Sequence, residues 1–100
     1  MIIVSGALKI DPTDRDAAAD LMAVVVAATR AEDGNLSYGF YEDPEEPGSF
    51  KIYEEWDNAE AMGGHMGQPH MAEFLGGMGG LKLLGTEIFS HEVTNTTQVM

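Results

Sequence analysis

Residues 49–70, SFKIYEEWDNAEAMGGHMGQPH, pass from strand to helix within one short run. Its first eight residues alternate, placing Phe50, Ile52, Glu54 and Trp56 on one face of a strand and Lys51, Tyr53 and Glu55 on the other. Asp57 or Asn58 then supplies an N-cap, because a short side-chain oxygen accepts from the free backbone N–H groups of a first helical turn. A helix runs on through Ala59, Met62 and His65 until Pro69 interrupts it. A strand that passes straight through a cap into a helix folding back over the sheet gathers an acid, an indole and two imidazoles, His65 and His70. A small-molecule pocket is expected there.

Working outward, residues 2–10 are rich in β-branched and aliphatic side chains and read as a strand covered at least partly on both faces. Asp11-Pro12-Thr13-Asp14 opens a helix whose apolar positions are Ala17, Leu21, Val24, Val25 and Ala28, and Gly34 is placed to end it. Residues 35–43 form a second strand with Tyr38 and Phe40 on one face, joined to residues 49–56 by a hairpin containing Pro44 and Pro47-Gly48. After Pro69 a further helical piece carries Met71, Phe74, Leu75 and Met78, and residues 81–93 make the last strand. The order is β-α-β-β-α-β, which predicts an α+β, ferredoxin-like sandwich with an antiparallel sheet. Residues 1–93 form one domain and 94–100 a polar tail. Helices shield one face, and the apolar side chains left on the other call for a second copy, so a homodimer built as a dimeric α/β barrel is expected.

Composition narrows the function. The 100 residues carry 5 basic against 17 acidic side chains, a formal charge of −12. Nucleic-acid binding rests on Lys and Arg neutralising phosphates, so it is excluded as a reading, and an anionic membrane surface is disfavoured for the same reason. Eight acids fall between Glu42 and Glu60, where the bland reading is a solvated edge. Cysteine is absent, which removes disulfides, thiolate metal sites and a cysteine nucleophile. The opening Met-Ile-Ile-Val belongs to a strand, has no basic region before it and is too short to cross a bilayer, so a cytoplasmic protein is expected.

Glu54, if it faces the helices, is a carboxylate among apolar side chains. Burial raises the pKa of such an acid and suits it to act as a base or proton shuttle, although it can equally be an acceptor for a helix end or a histidine. Trp56 is either a core anchor or a platform for a flat ligand. His65, on the helix, is a second candidate acid-base group. His70 caps the next helical piece or points into the pocket, and His91 reads as a surface pair with Glu92. Two histidines five apart with a proline between them lack the i, i+4 spacing of a helical metal site, so no metal is expected. Met62, Met66, Met71 and Met78, with Phe74, form a wall that fills a loose core or holds a flat hydrophobic ligand. Seven glycines between Gly63 and Gly80 weaken those helices and suggest a cover that opens.

Together these stretches resemble the antibiotic biosynthesis monooxygenase family. Residues 29–34 (TRAEDG) leading into Asn35-Leu36-Ser37-Tyr38, then Tyr53-Glu54-Glu55-Trp56, Ala61, and the spacing from Trp56 to His65 to Pro69-His70 carry the resemblance, which covers roughly residues 2 to 90. It implies short ferredoxin-like homodimers with a pocket between sheet and helices. Some relatives oxygenate electron-rich phenols or quinols with dioxygen and no cofactor. On that pattern His65 and Glu54 are the catalytic candidates, Trp56, Met62, Met66, His70 and Phe74 hold the substrate, and the partners are a hydrophobic aromatic molecule and dioxygen. A haem-degrading branch uses an asparagine on the first strand and a Trp and His on the later helices, whereas this chain has no asparagine there, with Gly6 near that position, and His65 where that branch places tryptophan. A binding protein that sequesters a hydrophobic molecule, or an isomerase or cyclase using the same pocket, are the alternatives.

Overall fold

A computed structural model describes all residues 1–100. The elements are β1 (Ile2–Ile10), a short 3-10 turn (Pro12–Asp14), α1 (Arg15–Thr29), β2 (Asn35–Glu42), β3 (Ser49–Trp56), α2 (Ala59–Met66), α3 (Pro69–Met78) and β4 (Leu83–Glu92). The four strands form one antiparallel sheet in the order β2-β3-β1-β4, the ferredoxin-like arrangement. In the register Val4 pairs with Glu54 and Ile52 with Gly6, while Tyr38 pairs with Glu54 from the other side. Val4, Leu8, Ile52, Glu54, Trp56 and Tyr38 therefore share the face beneath the helices, and all six are buried. No helix is long and apolar enough to cross a membrane.

The local signals act much as their chemistry dictates. The Asp11 carboxylate accepts from the Thr13 backbone N–H (3.0 Å), but it caps the 3-10 turn, and α1 starts only at Arg15. Asn58 Oδ1 accepts from Ala61 N–H (2.8 Å) and starts α2, and Pro69 occupies the first turn of α3. The buried stripe of α1 differs from expectation: Ala18, Met22, Val25 and Thr29 face the core, whereas Ala17 and Val24 are exposed. Residues 17–28 are apolar at every position but Asp20, so periodicity alone does not single out the buried stripe. The acidic edge is also less uniformly solvated than its charge suggests, because Glu42 forms a forked pair with Arg15 (2.7–3.0 Å) and Glu54 is in the core.

The helices lean towards the β2 edge and leave β4 uncovered. All ten residues of β4 are exposed, among them Leu83, Leu84, Ile88 and Phe89. Gly6 lets β4 lie against β1, since a Cβ there would sit 2.0 Å from the Glu87 carbonyl oxygen.

Candidate functional site

An apolar cavity of about 440 Å³ opens between the sheet and α2–α3, on the side where β4 is bare. Fourteen of its eighteen lining residues are hydrophobic, so the few polar ones set its chemistry. Met62, Met66, Phe74 and Met78 form the helical wall, and Leu83, Thr86, Ile88 and Ser90 continue the lining along β4. Tyr38, Glu54 and His65 are the polar side chains on the closed side. Of the residues expected to hold a substrate, Met62, Met66 and Phe74 are on this wall. Trp56 and His70 are not: Trp56 is wholly buried behind it, and His70 turns the other way.

Glu54 and Trp56 work as a unit. Two residues apart on one strand face, they put the indole Nε1–H 2.8 Å from Glu54 Oε1, to which it donates, while Glu54 Oε2 makes no hydrogen bond. The partner of the carboxylate is thus the neighbouring indole rather than a helix end or a histidine. Burial raises the Glu54 pKa; the Trp56 hydrogen bond and the His65 ring oppose that rise, and the Glu32 charge adds to it. The Tyr38 phenol is held above its usual range, chiefly by burial and then by the charges of Glu54 and Glu32, so it stays a neutral hydroxyl. Above the unit lies His65, its ring 5.0 Å from the Trp56 ring and 5.3 Å from that of Tyr38.

Sequence reasoning missed Glu32. Its carboxylate oxygen Oε2 lies 2.7 Å from His65 Nδ1 and 2.8 Å from His70 Nε2. The turn that carries it is built for the purpose. Gly34 adopts φ +84, open to glycine at little cost, and a Cβ there would stand 2.6 Å from the Ala61 Cβ. Asp57 N–H donates to the Gly34 carbonyl (2.9 Å), tying the turn to the end of β3. The expectation that His70 caps α3 gives way here, because Gln68 is the capping residue and the His70 side chain reaches Glu32. His91 lies far off on the outer sheet face, beside Ser5 (3.3 Å). No local signal marks Glu32, because the partners that make it part of the site lie 33 and 38 residues further along the chain.

The antibiotic biosynthesis monooxygenase family model matches residues 1–76, which hold every polar side chain of this site except those of β4. The chain belongs to that family. In the antibiotic biosynthesis monooxygenase fold seen here, the matched region ends within α3 and β4 lies beyond it. A solved structure from Deinococcus radiodurans, assigned provisionally to the same family, superposes with a TM-score of 0.92 at 31% identity, covering 100% of this chain and 99% of that one. The Synechocystis protein sll1783 is 35% identical over 74 residues, and the match spans 74% of this chain but only 50% of the relative's length. YcnE of Bacillus subtilis, whose name proposes a monooxygenase, is 29% identical over 75% of this chain and 79% of its own length. Family membership and these likenesses support a monooxygenase-like function.

Proposed function

We propose that this protein is a monooxygenase acting on a quinol-like or polyketide-like aromatic molecule, with electrons supplied to dioxygen by the substrate itself and without metal or flavin. The observation that carries the reading is Glu54: a buried carboxylate with a raised pKa, one oxygen held by Trp56 and the other free beside an apolar, ring-sized cavity. A raised pKa matches such a base to an acidic phenol or benzylic C–H, because proton transfer is most effective when donor and acceptor are close in pKa. Glu54 takes that proton, and the electron-rich anion is then oxidised by dioxygen. For an anthrone-type methylene the balance closes on one dioxygen: both C–H bonds of the methylene carbon break and a carbonyl forms there. One oxygen atom becomes that carbonyl, and the other leaves as water with the two hydrogens. His65 and the neutral Tyr38 hydroxyl hold the developing oxyanion, and the methionine wall with Phe74 holds the rings.

The bare β4 supports a homodimer, since a second copy laid over Leu83, Ile88 and Phe89 covers exposed apolar surface and closes the open side of the cavity. Oxygen uptake by Glu54→Gln tests the catalytic part. The variant keeps an acceptor for the Trp56 indole, so it is expected to fold and to lose about 10²–10⁴ in rate, the usual worth of a general base. Uptake at the parent rate sinks the assignment of Glu54.

A further inference from the structure

We infer that Glu32, His65 and His70 form a site for one divalent d-block cation of the zinc or cobalt kind, which clips the helical cover to the turn after α1. Three different segments supply the donors: Glu32 Oε2 from the turn, His65 Nδ1 from α2 and His70 Nε2 from α3. The ligand atoms all lie within 4.8 Å of one another, with both ring nitrogens 2.7–2.8 Å from the carboxylate oxygen. Two imidazoles and a carboxylate are a donor set that zinc takes at about 2.0–2.2 Å. In a tetrahedral shell this corresponds to ligand atoms roughly 3.3 Å apart, so each ring parts from the carboxylate by about half an ångström while the two ring nitrogens, within 4.8 Å of each other, settle to the same spacing.

The i, i+4 rule does not apply to this pair, because Pro69 puts the two histidines on different helices and Glu32 arrives from elsewhere. Burial favours the site as well. His65 is 2% and Glu32 9% exposed at the side chain, so the cation gains its ligands in a region of weak screening. On the outer side the carboxylate adjoins a hollow lined by Asp33, Asp57 and Glu60, a negative approach for a cation.

The role is structural. Neither Glu32 nor His70 lines the substrate cavity, and the His65 nitrogen in the site is the one turned to Glu32. The cation meets a helical cover with seven glycines between Gly63 and Gly80, a segment with little stiffness of its own. Joining α2, α3 and the α1–β2 turn through one ion fixes that cover in place. The oxygenase reading above does not depend on this site.

The test is a titration of the chelator-stripped full chain with cobalt(II) and then zinc(II). One equivalent of cobalt is expected to give a visible absorption band that zinc abolishes, with zinc raising the Tm. The band is expected to vanish in Glu32→Gln and His70→Ala and to persist in His91→Ala. Should the first two fail to fold, imidazole nitrogen resonances of the parent chain decide: zinc must move those of His65 and His70 and leave His91 in place. No band, no movement, or a band that survives in both folded variants overturns the site and leaves a hydrogen-bonded cluster only. Oxygen uptake lost on stripping and restored by iron(II) but not by zinc overturns the structural role.

Discussion

Replacing Trp56 by Phe separates the two halves of the Glu54–Trp56 unit. The substitution removes the indole N–H that Glu54 accepts at 2.8 Å and leaves the buried carboxylate without a hydrogen bond. A hydrogen bond to a charged group contributes about 1.5–3 kcal/mol, and the lost contacts of a wholly buried ring portion add about 1–2 kcal/mol. The expected loss is therefore about 2.5–5 kcal/mol where Glu54 is charged. Below the folded pKa it shrinks, because the protonated acid loses a weaker bond, worth about 1 kcal/mol less. The sign follows from linkage. Glu54 titrates above its ordinary value in the folded chain, so its contribution is fully present at low pH and declines as pH rises through the folded pKa. The Trp56 bond is the largest influence holding that pKa down, and without it the decline grows. Urea denaturation of parent and variant at about pH 5 and about pH 8 measures the difference, followed by far-UV circular dichroism because Trp56 is the sole tryptophan. Glu54→Gln in the Trp56→Phe background should erase the pH dependence. Equal losses at both pH values, with or without Glu54, would refute the reasoning.

Gly34→Ala forces an L-residue to φ +84 and sets a Cβ against that of Ala61, so a loss of about 2 kcal/mol or more is expected, seen as a fall in Tm. Adding Ala61→Gly should relieve the contact and leave only the backbone strain; no coupling between the two would mean that the turn moves freely. Thr29 Oγ1 is buried with no hydrogen-bond partner, so Thr29→Val should leave the Tm unchanged or higher. A clear fall would show that the hydroxyl bonds the neighbouring Tyr38 phenol. Met66→Ala removes a cavity wall residue that is itself 60% exposed, which predicts stability within about 0.5 kcal/mol of the parent and a KM raised several-fold for an aromatic substrate.

Strand alternation and capping were legible because they depend on near neighbours. Glu54 and Trp56 share a face by the period of two, and Asn58 and Pro69 mark helix starts by their own chemistry. What depends on distant parts of the chain was not legible. The buried stripe of α1 is one of several apolar stripes in a segment apolar at every position from 17 to 28 but Asp20, and packing against the sheet selects it. Glu32 reaches His65 and His70 across 33 and 38 residues, and only the packing of the Gly34 turn on Ala61 brings them together. By sequence Trp56 suits a platform for substrate or a core anchor, and its wholly buried position makes it the anchor that holds Glu54.

Oxygen consumption by the metal-stripped protein, measured against naphthoquinols, anthrones and catechols with Glu54→Gln and His65→Ala alongside, tests the proposed chemistry most directly. Uptake matched by a quinone or ketone product, abolished in Glu54→Gln and weakened in His65→Ala, is the expected result. Turnover of the same molecules that continues without dioxygen, or tight binding of one with no uptake at all, would contradict the oxygenase and leave an isomerase or a binding protein in its place.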